Sequence, residues 1–286
     1  MDITNIHKEA PPLNTQTTGT RDAPLPRVRV RIKNTEIGGD GFVVIAGPCA
    51  IESGEQIRQA AELVSSNGGH LLRGGAFKAR TSPYTFQGLG LDGVKLMREA
   101  ADLYSMPMIT EVLSERDVDA MEPYVDAFQV GSRNMDNTAL LKQLGQLDKP
   151  VLLKRGFAAT IQEWLLAAEY VIVGGNNQVV LCERGIRTFS NETRFTLDLA
   201  GALYARQQTN LPVIIDPSHA TGNPQLIPSL AAATLAAGLD GLMVEVHPNP
   251  EVALSDAEQA LSPELFTEMM SQLQRLSVAT GRPITR

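Results

Sequence analysis

The stretch LLRGGAFKARTSPY, residues 71–84, sets Arg73, Lys78 and Arg80 within eight positions, beside the glycine pair Gly74–Gly75. The chain as a whole is acidic, with 32 Asp and Glu against 25 Lys and Arg. A local concentration of cations in such a chain points to a small anionic ligand. Guanidinium forks match phosphate and carboxylate oxygens, and glycine lets the main chain approach a ligand closely. Further cations recur along the chain at Arg133, Lys154, Arg155, Arg184 and Arg187. Between them lie groups of another kind. Cys49, His219, Glu245 and Asp256 offer a thiol, an imidazole and two carboxylates. That mixture is wrong for a closed structural zinc site and suits a first-row divalent ion such as Mn²⁺, Fe²⁺, Co²⁺ or Zn²⁺. His247 and His70 are alternative ligands. Cys182, between Leu181 and Glu183, reads as a packing residue.

These residues are far apart in sequence, so a fold must gather them. Short apolar runs occur at 42–46, 70–73, 107–111, 126–130, 150–154, 178–183, 212–216 and 241–246. Most are continuous rather than alternating, the pattern of parallel strands covered on both faces. Helical patterns lie between them. Ser53 is positioned to cap SGEQIRQAAELVSS, and Thr160 with Glu163 is spaced as a capping box before IQEWLLAAEYVI. The segments 93–104, 114–124, 137–147 and 223–238 carry similar patterns. Eight strand–helix units in about 240 residues predict a (β/α)₈ TIM barrel. A barrel of that class carries its chemistry at the C-terminal ends of its strands. All eight expected strands run into polar or reactive groups there, from Cys49 after the first to Glu245 and His247 at the last. The cations at 73, 78, 80, 133, 154, 155, 184 and 187 are therefore expected around one mouth, where mutual repulsion requires anionic substrates, more than one phosphate among them.

RVRVRIK (27–33) alternates and predicts an amphipathic strand, followed by a turn at IGGDG (37–41). We expect it in a short β-hairpin covering the barrel bottom. Residues 1–26 read as a flexible tail and 27–286 as one catalytic barrel that includes the hairpin. The acidic balance and few aromatics exclude a general nucleic-acid binder. No run of about 18 apolar residues spans a membrane, and the tail lacks the apolar core of a signal peptide, which predicts a cytoplasmic protein. Two cysteines and no CxxC pair exclude a disulfide framework beyond a single bridge.

Seven ordered motifs carry a family resemblance: AGPCAIES, RGGAFKARTSPYTFQGLG, QVGSRNMDN, KPVLLKRG, CERGIRTF, DPSHATG and VEVHPNPEVALSD. Together, over about residues 36–262, they resemble the class I 3-deoxy-D-arabino-heptulosonate 7-phosphate (DAHP) synthases of the β subtype. The resemblance implies condensation of phosphoenolpyruvate with erythrose 4-phosphate, the first step of the shikimate pathway. It implies a divalent metal on Cys49, His219, Glu245 and Asp256. It assigns phosphoenolpyruvate to Arg73, Lys78, Arg133, Lys154 and Arg184, and the tetrose phosphate to Arg80, Thr81 and Ser82. Lys154 and Glu111 become candidates for placing a water or moving its protons, with Cys49 and His219 acting through the metal. The resemblance further implies a homodimer or homotetramer. Ala79 stands where the family loop usually has Pro, which leaves that loop more conformational freedom. The alternative is a 3-deoxy-D-manno-octulosonate 8-phosphate synthase acting on arabinose 5-phosphate. About 35 residues precede the first barrel strand, so no feedback control through an appended regulatory domain is expected.

Overall fold

The structure, a computed structural model, describes residues 26–78 and 84–284. The expected tail, apart from Pro26, lies outside the described residues, as do Ala79, Arg80, Thr81 and Ser82.

Eight parallel strands close into a barrel: β3 (Val43–Gly47), β4 (Leu71–Arg73), β5 (Met108–Glu111), β6 (Ala127–Val130), β7 (Val151–Lys154), β8 (Val179–Glu183), β9 (Val213–Ile215) and β10 (Gly241–Glu245), with β10 pairing β3. Every residue of these strands is buried except Glu111, which is half-buried. Their apolar runs are continuous because both faces are covered. Val43 and Ile45 join an inner cluster with Leu71, Ile109, Leu152, Val180, Ile214 and Met243. Val44 and Ala46, one residue out of phase, face the helices with Leu72, Phe128 and Leu153. The period of two thus separates a packed barrel interior from an outer layer.

The helices follow as α1 (Gly54–Ser66), α2 (Gly90–Leu103), α3 (Glu115–Met121), α4 (Thr138–Leu144), α5 (Ile161–Val173), α6 (Leu199–Gln208), α7 (Pro217–Thr221), α8 (Ile227–Ala236) and α9 (Pro263–Thr280). Ser53 caps α1, its side chain accepting from Gln56 N. Thr160 and Glu163 form the capping box of α5. Trp164 is buried beneath α5, its Nε1 donating to Leu153 O at 3.1 Å. Helices α6, α7 and α9 add to the elements predicted from the sequence.

The amphipathic segment near the start forms a hairpin, β1 (Val30–Ile32) and β2 (Thr35–Ile37), paired antiparallel. It is shorter than the alternation of 27–33 predicts, because the chain reverses at Lys33, whose φ is 51°. A turn at 33–34 joins β1 to β2, and the expected turn at 37–41 follows β2, where the chain bends over residues 38–41 into β3. Val30, Ile32 and Ile37 pack into the inner barrel cluster. Val28 N donates to Asn210 O at 2.9 Å, ahead of β9, so the hairpin closes the N-terminal end of the barrel. At the same end the buried Asp240 accepts from Arg27 at 2.7 Å and from Val213 N at 2.8 Å, with Arg206 at 3.5 Å and Arg282 at 3.9 Å. One carboxylate thereby ties the hairpin and the C-terminal segment to the barrel floor. Among the described residues no helix is long and apolar enough to cross a membrane.

Candidate active site

The opposite end of the barrel opens into a cavity of about 460 Å³ lined by Arg73, Lys78, Glu111, Arg133, Lys154, Arg184, Arg187, His219 and Asp256 among others. Parallel strands all present their C-terminal ends here, so residues more than 200 positions apart become neighbours. Among the described residues, Cys49, His219, Glu245 and Asp256 can each offer one donor atom such that all four lie within 4.8 Å of one another. Metal–ligand bonds of about 2.0 to 2.3 Å set donors on opposite sides of an ion up to about 4.6 Å apart, so only small side-chain adjustments separate this cluster from a divalent-ion site. The donors engage each other directly. His219 Nε2 lies 3.0 Å from Glu245 Oε1, and Cys49 Sγ lies 2.9 Å from Asp256 Oδ2.

Local sequence explains how His219 is aimed. Asp216 is the N-cap of α7 and Pro217 occupies its first turn, where proline needs no amide partner. Asp216 Oδ1 accepts from His219 N at 3.0 Å, and its Oδ2 bonds His219 Nδ1 at 2.7 Å. The ring's other nitrogen is left facing the cluster, as an orienting partner on a metal-binding histidine requires. The same Oδ2 accepts from Lys154 Nζ at 2.6 Å. Burial would lower the His219 pKa, but the carboxylates of Asp216 and Glu245 reverse this and raise it to about 9. Burial would raise Glu245 and Asp216, yet His219 with Arg73 or Lys154 holds both well below the ordinary carboxylate range.

Arg73 donates to Glu245 Oε1 at 3.1 Å and to Pro48 O at 2.9 Å. Lys78 Nζ lies 2.9 Å from both Cys49 O and Cys49 Sγ. The glycines beside this contact are closely packed. A Cβ on Gly75 would sit 2.6 Å from Cys49 O and 3.0 Å from Lys78 Nζ, and one on Gly74 would meet Ile51 at 3.0 Å. Their bare main chain admits these neighbouring protein atoms. Glu111 accepts from Gln129 Nε2 at 3.4 Å and faces the same cavity.

The expected place of Arg155 changes, the alternative ligands His247 and His70 lie outside the cluster, and Cys182 packs as expected. Arg155 does not line the cavity; its Nη1 is held by Glu183 at 3.0 Å and Asp198 at 2.9 Å. His247 stands apart from the cluster, 3.4 Å from Glu52 Oε2, and His70 is at the other end of the barrel, accepting from Val44 N at 3.0 Å. Cys182 is buried in the inner barrel cluster, where burial pushes its thiol far above the ordinary range. The structure also adds residues that the sequence reading passed over. Arg194 lines the cavity 3.7 Å from Asp256 and donates to Gln259 Oε1 at 2.7 Å, and Gln259 Nε2 donates to Glu245 Oε2 at 2.6 Å. Phe157 and Phe195 line it as well. The TRF triplet around Arg194 follows no strand and has no periodic signal. Only its closeness to CERGIRTF hinted at a role.

Comparison with known proteins follows from this geometry. The profile of the DAHP synthetase I family matches residues 21–280. A phospho-2-dehydro-3-deoxyheptonate aldolase of Thermotoga maritima is 47% identical over 252 residues, covering 88% of this chain and 75% of that protein. The crystal structure of a DAHP synthase from Thermotoga maritima superposes with a TM-score of 0.87 at 46% identity, covering 90% of this chain and 75% of that one. A 2-dehydro-3-deoxyphosphooctonate aldolase of Koribacter versatilis is 31% identical, over 88% of this chain and 97% of that protein.

Proposed function

The chain belongs to the DAHP synthetase I family, and from that membership we infer that it condenses phosphoenolpyruvate with erythrose 4-phosphate to give DAHP and inorganic phosphate, the first step of the shikimate pathway. One observation carries the reading into chemistry: a single cavity holds both a cluster of metal-binding donors and a wall of cations. The octulosonate alternative is the weaker one, at 31% identity against 47%.

Phosphoenolpyruvate brings a phosphate and a carboxylate, which we assign to Arg73, Lys78, Arg133, Lys154 and Arg184. The buried Arg184 has no acceptor on its Nη1, and the buried Arg73 has none on its Nε, so anionic oxygens would complete both. Erythrose 4-phosphate is assigned by resemblance to Arg80, Thr81 and Ser82, beyond the described residues. Cys49, His219, Glu245 and Asp256 would hold a divalent ion, and such an ion supplies Lewis acidity at the aldehyde oxygen. C3 of the enol phosphate bonds to the aldehyde carbon, water adds at C2, and the C2–O bond to phosphate breaks. Lys154, fixed by Asp216, and Glu111, met by Gln129, border the cavity as the groups that hold this water and move its protons. The condensation requires no Schiff base, so Lys154 need not act as a nucleophile.

The reading extends to Mn²⁺, Fe²⁺, Co²⁺ or Zn²⁺ as the ion, to a homodimer or homotetramer, and to the cytoplasm. These rest on the sequence resemblance and on the donor set. Phosphate release measured over a panel of aldose phosphates tests the substrate assignment. Erythrose 4-phosphate should exceed arabinose 5-phosphate in kcat/KM by about tenfold or more. The reverse order would replace this assignment with the octulosonate reaction.

A further inference from the structure

Crowding several guanidinium groups around one cavity poses an electrostatic problem. Carboxylate partners would solve it, but they would also occupy the N–H groups that a substrate needs. Arg155 shows that outcome: Glu183 and Asp198 hold it, and it does not line the cavity. Arg184, the next residue but one after Glu183's neighbour Cys182, is treated differently. It is buried, no carboxylate among the described residues lies within ion-pair distance of it, and its Nη1 has no acceptor. Its guanidinium lies instead against two aromatic faces, 4.4 Å from the Phe195 centroid and 4.9 Å from that of Phe157. The two rings are stacked, 5.0 Å apart and 7° from parallel. Arg187 and Arg133 lie over Phe157 at 5.3 and 5.5 Å, and Arg194 over Phe195 at 5.9 Å.

The fold is arranged to bring these rings together. Phe157 follows β7, and Phe195 comes from the loop between β8 and α6. Arg187 N donates to Phe157 O at 2.7 Å, and Phe195 N to Ala220 O at 2.7 Å, so both loops are fixed by main-chain bonds. Gly185, at φ 95°, permits the approach, since a Cβ there would lie 2.7 Å from Phe195 Cβ and 2.9 Å from Ala220 Cα. Burial lowers the Arg184 pKa to about 10, which still leaves it charged at neutral pH.

We propose that Phe157 and Phe195 are positioning residues for the anion site: their π faces hold Arg184, and with it Arg133, Arg187 and Arg194, while leaving the Arg184 donors free for phosphate or carboxylate oxygens. A ring face stabilises a guanidinium without competing for its in-plane N–H groups. The proposal deepens the functional reading above, resting on it for the identity of the anion.

The test is phosphoenolpyruvate binding by calorimetry to the full chain, alongside steady-state kinetics. Replacing Phe195 with mono-, di- and trifluorinated phenylalanine drains charge from the ring face at nearly constant shape. Affinity should fall stepwise with each fluorine, reaching about tenfold for the last. Phe195→Leu should raise the KM for phosphoenolpyruvate about tenfold with a smaller fall in kcat, and Phe195→Tyr should restore it to within about twofold. A flat fluorine series, or a Tyr variant as weak as the Leu variant, would overturn the platform and leave packing as the ring's role. Because binding is read without turnover, a wild-type protein that binds phosphoenolpyruvate but forms no product would contradict the functional assignment alone.

Discussion

Asp216 touches no substrate in this account, yet it caps α7, fixes His219 and pairs with Lys154. Its type and place were legible in the sequence, since D-P-S-H puts a capping acid, a first-turn proline and a histidine at the end of an apolar run. The metal-ligand candidates were legible for the same reason, each lying at or beyond a strand end. Arg155 was misread because position alone does not say whether a cation meets solvent or a buried acid; only the approach of Glu183 and Asp198 decides it. The pKa of His219 gives a prediction for the metal-free protein. Folding raises it from 6.5 to about 9, so the stabilisation is fully present below pH 6.5 and is lost as pH rises through 9. The melting temperature of chelator-treated protein should therefore fall between pH 6.5 and 9, by the equivalent of a few kcal/mol. Asp216→Asn removes the main raising carboxylate and should flatten that slope; an unchanged slope would show that His219 is not held by this pair. An ion bound at His219 would replace its proton, so metal uptake should release protons over the same range.

Elements were legible where a periodic pattern and a terminal signal agreed. Helix α5 has both: seven of its buried residues form the inner stripe, and Thr160 and Glu163 close the box at its start. Glu163 Oε2 accepts from Thr160 N at 2.7 Å, and Glu163 N donates to Thr160 Oγ1 at 3.2 Å. Those backbone and hydroxyl bonds lower the Glu163 pKa. Thr160→Ala should lower stability by about 1 kcal/mol in denaturant titration without changing kcat, because the box lies on the outer layer. A loss above about 2 kcal/mol would mean that the cap also anchors the loop carrying Phe157. Helix α6 was not legible. Its buried residues are only Ala202 and Ala205, too small and too few to set an apolar stripe. The hairpin was half legible: alternation marked its first strand, but the reversal at Lys33 follows from pairing with Thr35–Ile37, which no local pattern displays.

At the scale of the whole molecule, closing the barrel converts a list of distant residues into a site. The register Glu245↔Gly47 between β10 and β3 brings the last strand with a candidate ligand beside the first, and that closure places Cys49 near Asp256. The expectation of eight continuous strands was sufficient to foresee this gathering. It could not foresee Arg194, Gln259 or the Phe157–Phe195 pair, which depend on loop conformations. Asp240 pairs with Arg27 and Arg282 at the floor, at the opposite end of the core from the mouth. The central claim is that the donor cluster and the cation wall act as one metal-dependent condensing site. Its most direct test is the rate of phosphate release from phosphoenolpyruvate and erythrose 4-phosphate before chelation, after chelation, and after Mn²⁺, Fe²⁺, Co²⁺ or Zn²⁺ is returned singly. The account predicts loss of nearly all turnover on chelation, recovery with at least one of these ions, and no recovery in Cys49→Ala or His219→Ala. Turnover that persists after the ions are stripped, or that either variant retains in full, would contradict it.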